Sequence, residues 1–106
     1  MANEENWVAV GALADLKEGA MRGVDVGNRQ IAIYHVDGEI YATDNMCTHA
    51  FAMLTDGFLD GDVVECPLHG GCFNVKTGAG QGEPISEDIK TYPVRVAGDN
   101  IEVNIG

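Results

Sequence analysis

Cys47-Thr48-His49, followed after sixteen residues by Cys66-Pro67-Leu68-His69, is the stretch on which the reading of this chain turns. Each half pairs one thiol with one imidazole. A metal centre held by all four side chains therefore has two sulfur and two nitrogen donors. Structural zinc sites with two Cys and two His take both Cys from one loop and both His from a following helix. Here each short segment gives one donor of each kind. Gly70 and Gly71 follow the second segment, where backbone can approach sulfur closely and donate N–H groups to it. Pro67 stiffens the same turn.

The flanking sequence reads as short strands between tight turns. Residues 7–10 and 20–26 are expected strands. Gly27-Asn28 turns the chain into a strand at 30–36, and Asp37-Gly38 turns it again into 39–43. Asp-Gly between apolar runs is a strong hairpin signal. Phe58-Leu59 and Val63-Val64 flank Asp60-Gly61-Asp62 as another hairpin, and residues 89–96 and 101–105 form a last pair around Gly98-Asp99-Asn100. Residues 12–17 give the one short helical turn. Many short strands separated by Gly, Asp and Asn predict an all-β fold, an antiparallel barrel or sandwich. Both Cys/His segments fall on loops, the first after the strand ending near Asp44 and the second after 63–65. Two loops leaving neighbouring strands can bring the four donors together at one end.

Length, at 106 residues, predicts one domain over 1–106. An apolar content of 45% excludes a disordered chain. Net charge is −11. No Lys or Arg lies between Arg29 and Lys76, a stretch that carries Asp37, Glu39, Asp44, Asp56, Asp60, Asp62 and Glu65. Nucleic acid is excluded as a partner, since phosphate binding needs a basic face. A protein with a basic docking surface is favoured, because complementary potentials steer encounter. No stretch reads as a membrane span, and residues 1–6 lack the basic and apolar regions of a signal peptide. With two of three Cys in the motif, Cys72 has no partner for an internal disulfide. The expected location is the cytoplasm.

Cys-Thr-His, sixteen residues and Cys-Pro-Leu-His-Gly-Gly resemble the signature of Rieske proteins, in which His replaces Cys on one iron of a 2Fe–2S cluster. Together with 40–44 (Ile-Tyr-Ala-Thr-Asp), 89–94 (Ile-Lys-Thr-Tyr-Pro-Val), the length and the acidic balance, they resemble one branch over essentially the whole chain. That branch is the Rieske-type ferredoxin of bacterial aromatic-ring-hydroxylating dioxygenase systems, of the naphthalene and biphenyl kind. The resemblance implies three antiparallel sheets with a small cluster-binding subdomain of two loops at one end, about residues 45–84. It implies one Rieske 2Fe–2S cluster, with Cys47 and Cys66 on the inner iron and His49 and His69 on the outer. Gly82-Glu83-Pro84 falls where the family has a third loop over the cluster. The implied partners are a flavoprotein ferredoxin reductase and a terminal ring-hydroxylating oxygenase, and a monomer suits a shuttle between them.

Departures from the respiratory and photosynthetic branch carry information too. Its second pair of Cys, which forms a disulfide between the loops, corresponds to Ala52 and Leu68. The Ser and Tyr whose hydroxyls bond the cluster sulfurs correspond to Gly71 and Phe73. Hydrogen bonds to sulfur stabilise the reduced state, so a potential at the low end of roughly −150 to +300 mV is expected. Formal charges make the oxidised cluster neutral. Neutral imidazoles suit ferrous iron, so His49 and His69 are the expected exit for the electron, and the potential is expected to fall with pH once they titrate as a coupled unit.

Around the motif lie Met46, Ala50, Phe51, Met53, Leu54 and Leu68. Met46, Met53 and Leu54 read as core under the cluster, and Phe51 and Leu68 as a docking rim. His35 reads as a surface or paired structural residue, Cys72 as packing and Trp7 as a core anchor. The Gly-rich run 78–82 reads as a flexible loop, since a dinucleotide fingerprint would need Gly at position 83, which is Glu. The chain is not expected to be an enzyme: His35 alone remains for a mononuclear iron, and there is no room for flavin and nicotinamide. Three alternatives stand beside the dioxygenase ferredoxin. They are an electron carrier of another oxygenase or reductase system, a nitrite reductase small subunit, and a zinc-binding interaction module using the same four ligands.

Overall fold

The computed structural model describes residues 6–48, 51–68, 70–82 and 87–106. The strands are β1 (Trp7–Ala12), β2 (Met21–Val26), β3 (Arg29–Val36), β4 (Glu39–Asp44), β5 (Phe58–Asp60), β6 (Val63–Glu65), β7 (Cys72–Asn74), β8 (Gly80–Gln81), β9 (Thr91–Tyr92), β10 (Val94–Ala97) and β11 (Asn100–Asn104). They form three sheets, ordered β1-β11-β10, β2-β3-β4-β9 and β5-β6-β7-β8, and every pairing is antiparallel. The all-β architecture with three antiparallel sheets expected from the resemblance is the one observed. Leu13–Asp15 forms a 3-10 turn inside the expected helical segment, and Leu54–Asp56 forms a second.

β3 divides the interior in two. Its run Ile31-Ala32-Ile33-Tyr34 is wholly buried, and alternation along a strand sends successive side chains to opposite faces. Ile31 and Ile33 pack with Val10, Leu16, Ala42, Tyr92, Ile101 and Val103. Ala32, Tyr34 and Val36 face the other way, into a core shared with Cys47, Leu54, Val64, Cys66, Phe73, Val75 and Ile89. The second core is the floor on which the two Cys stand. Tyr34 brings a hydroxyl into it and pairs that hydroxyl with Thr43 Oγ1 at 2.8 Å. The Thr43 hydroxyl in turn donates to the Asp44 carbonyl at 2.8 Å, so Tyr34 is the donor. Burial drives the Tyr34 phenol well above the ordinary tyrosine range.

The β3–β4 hairpin closes on Asp37-Gly38, both with positive φ (54° and 80°), as a primed turn matching strand twist requires. Glu18 caps it, accepting from the N–H groups of Asp37 and Gly38 at 2.9 and 2.8 Å.

Three expectations need correction. Residues 89–96 are not one strand, because Pro93 cannot donate a ladder hydrogen bond. β9 before it joins β4, and β10 after it joins β11. The Gly-rich run 78–82 is not a free loop. Gly80 and Gln81 pair with Phe73 and Cys72, and the N–H of Gly80 donates to Asp88 at 2.9 Å. Gly78, at φ 83°, lets the chain pass so close to Ile89 that a Cβ would stand 2.3 Å from its carbonyl oxygen. Finally, Trp7 belongs to neither core; it is half-buried at the edge, with Arg95 stacked 4.3 Å above its ring.

Candidate metal centre

The loops carrying the motif leave β4 and β6, which belong to different sheets rather than neighbouring strands. What brings them together is the shared core beneath: Cys47 and Cys66 are both buried in it, beside Phe73 and Leu54. The loops also share a closure. Cys47 N–H donates to the Ala52 carbonyl at 2.9 Å, and Cys66 N–H donates to the Gly71 carbonyl at 2.7 Å. Each Cys thus opens a turn that closes on the fifth residue after it. Below the first turn Met46 bridges Met53; below the second Glu65 pairs with Cys72.

The two thiols share one core. Burial pushes the Cys66 thiol up, and the neighbouring Cys47 adds to the rise, while the Leu68 backbone N–H donates to its sulfur and opposes it. A buried sulfur that already attracts a backbone donor favours a thiolate bound to metal, where ligation removes the proton outright. His49 and His69, the other two expected ligands, lie outside the described residues, as do Ala50 and the Glu83-Pro84 part of the third loop. Among the described residues no three His, Cys, Asp or Glu side chains converge. The donor set nonetheless fits a cluster with a thiolate side. Two adjacent, buried thiols come from two loops of matched span, and each sequence motif supplies one imidazole two or three positions further on.

The remaining expected residues separate by exposure. Leu54 is wholly buried, and Met46 and Met53 are half-buried at the isolated bridge. Phe51 is 96% exposed and Leu68 44%, so one apolar side chain stands out from each loop. Phe73 is fully buried and Gly71 buried. Cys72 is partly buried on β7; desolvation and then the Glu65 carboxylate raise its pKa. His35 is a structural residue, its Nδ1–H donating to the Leu16 carbonyl at 2.8 Å with Glu18 3.6 Å from Nε2. Two residues escaped the sequence reading. Phe58 projects outward from β5, 67% exposed, which the alternation Phe58-Leu59-Asp60 could have shown once the face was known. Asn45 is buried at the root of the first loop, a position with no signal in a single sequence.

The Rieske [2Fe–2S] domain family matches residues 6–93, and the chain belongs to that family. It holds one Rieske cluster. The ferredoxin component of the naphthalene 1,2-dioxygenase/salicylate 5-hydroxylase systems of a Ralstonia species is 52% identical over 87% of this chain and 88% of its own length. Among solved structures, the ferredoxin of Sphingomonas yanoikuyae B1 superposes with a TM-score of 0.90 at 41% identity, covering 95% of this chain and all of that one. The ferredoxin–oxygenase complex of carbazole 1,9a-dioxygenase gives 0.89 at 40% identity, covering 95% and 94%. Within its family this chain is a ferredoxin, an electron carrier rather than a catalytic oxygenase.

Proposed function

We propose that this chain carries single electrons from an NAD(P)H-dependent flavoprotein reductase to the terminal oxygenase of an aromatic-ring dioxygenase system. Cys47 and Cys66 hold the inner iron and His49 and His69 the outer one. The observation that carries the reading is the pair of buried thiols sharing one core, on two loops of equal span, each tipped by an exposed apolar residue. When bound, the cluster supplies reversible one-electron chemistry. The chain's residues do the rest. The core under the loops excludes water from the sulfurs, and the Leu68 N–H stabilises charge on Cys66. Phe51 and Leu68 offer an apolar contact, while the exposed carboxylates of Asp56, Asp60 and Glu65 flank the second loop with negative charge. Such a surface suits a partner with a basic rim.

The relatives named above support the oxygenase as the acceptor, and the reductase follows from the need for a donor. Among the described residues no helix is long and apolar enough to cross a membrane. No disulfide joins Cys47, Cys66 and Cys72, in keeping with a cytoplasmic monomer.

The test is a visible and EPR spectrum of anaerobically purified protein, before and after dithionite, with iron and sulfide assays. Two irons and two sulfides per chain, with an EPR signal of low average g on reduction, are expected. A colourless protein with one zinc would overturn the reading and leave a binding module.

A further inference from the structure

The two loops have the same closure but different support. The second loop continues a ladder: Glu65–Cys72 stands on Val64–Phe73 and Val63–Asn74. The first stands on one isolated bridge, Met46–Met53, after which the chain enters a 3-10 turn instead of a strand. Where the next rungs are missing, Asn45 and Thr55 meet. Leu54 N–H donates to the Asn45 carbonyl at 2.7 Å. Thr55 N–H donates to Asn45 Oδ1 at 3.0 Å, and Asn45 Nδ2 donates to Thr55 Oγ1 at 2.9 Å. The Thr55 hydroxyl also reaches Oδ1 at 3.2 Å. Asn45 is itself fastened to β3, its N–H donating to the Gln30 carbonyl at 2.8 Å.

A third strand makes room for this pair. Gly23 on β2 faces it, and a Cβ there would stand 2.7 Å from Asn45 Nδ2 and 3.0 Å from Thr55 Oγ1. The side-chain amide is suited to the place because one flat group presents a donor and an acceptor to the same residue. Asp would bury a charge, and Leu would leave the Thr55 N–H without its acceptor.

We propose that Asn45 and Thr55, in the space Gly23 leaves, are positioning residues for the electron carrier: they hold the first loop, and with it Cys47, in register with the second. The inference rests on the cluster assignment above. The Cys47–Ala52 closure is built on the Met46–Met53 bridge, and that bridge is built on the Asn45–Thr55 pair, so slack in the pair reaches the ligand within two residues. The second loop, resting on its own sheet, does not depend on it.

The test uses loaded protein and the variants Asn45→Leu, Thr55→Val, Thr55→Ser and Gly23→Ala. Three properties are read beside Tm: iron release to a ferrous chelator well below Tm, the EPR spectrum of the reduced protein, and the midpoint potential. Thr55→Val and Gly23→Ala are expected to release iron roughly tenfold faster, about the effect of weakening the part-buried hydrogen bonds of the Thr55 hydroxyl, with altered EPR and potential. Thr55→Ser is expected to restore wild-type behaviour. A lower Tm with iron release, EPR and potential unchanged would mean a purely structural pair and overturns the proposal. Should Asn45→Leu fail to fold, Thr55 and Gly23 decide the question. A wild-type chain that purifies without iron and sulfide refutes the carrier reading itself; a loaded wild type with unresponsive variants refutes only the positioning role.

Discussion

Adding hydroxyls at positions 71 and 73 should raise the reduction potential. Gly71→Ser with Phe73→Tyr supplies hydroxyls at the two positions where the resemblance implies that the respiratory branch has them, and where this chain has Gly and Phe. The backbone can accept both. Gly71 is not among the glycines with positive φ, so an L side chain meets no conformational penalty there. Its carbonyl already accepts from Cys66 N–H at 2.7 Å, which places a Ser side chain in the second loop beside that ligand. Phe73 is fully buried in the core that contains both thiols, so a Tyr hydroxyl there needs a partner inside the protein. If the new bonds favour the reduced state by about 1–2 kcal/mol, the potential of a one-electron couple rises by about 40–90 mV. Spectroelectrochemical titration at fixed pH reads the shift, with iron and sulfide counted in each preparation. In metal-free protein the same Tyr hydroxyl, deprived of an acceptor, should lower stability by about 1–3 kcal/mol. A potential that stays at the wild-type value, with the cluster fully loaded, would refute the claim that absent hydroxyls keep it low.

Phe51→Ala should leave Tm unchanged, since the ring is almost wholly exposed, yet weaken binding to the oxygenase about tenfold to a hundredfold if the ring is buried on docking; scanning calorimetry reads the first half and titration calorimetry the second. Gly57→Ala should cost more than any surface change, because a Cβ there would stand 1.9 Å from the Glu65 carbonyl oxygen and 3.1 Å from Pro67. A lower Tm together with faster iron loss is the expected result. Tyr34 links stability to alkaline pH. Its phenol is raised in the folded protein by burial, so the contribution is complete below the ordinary tyrosine value near 10 and is lost as pH rises above it. Tyr34→Phe should cost about 1 kcal/mol at neutral pH. It should also make the decline above pH about 10 shallower in urea unfolding, by up to about 1.4 kcal/mol per pH unit.

The chemistry was more legible than the scaffold around it. Cys47, His49, Cys66 and His69 are proposed as ligands on residue type and spacing, because few centres take one thiol and one imidazole from each of two loops; the structure describes only the two Cys of the four. Asp37-Gly38 and Gly61 announced their hairpins through conformations that other residues resist. Residues 89–96 misled because their apolar pattern is continuous, while the change of sheet is enforced by one missing N–H at Pro93. The strands at 72–74 and 80–81 are two or three residues long, too short for any periodicity to register. Gly80 and Gln81 are in a sheet only because β7 lies alongside, and that is a tertiary fact. Asn45 was illegible for the same reason: its partner is ten residues away and its cavity is a glycine on another strand.

Pro93 has a consequence for how the molecule comes apart. Thr91 to Ala97 is continuous chain, yet its first two residues are hydrogen-bonded into the sheet of β2, β3 and β4, and its last four into the sheet of β1 and β11. Asn104 N–H donates to the Pro93 carbonyl at 3.0 Å, fastening the junction itself. Neither sheet can fray from this segment without pulling a strand from the other. Unfolding of the base should therefore be cooperative, one transition for both sheets, with local opening confined to the loops above them.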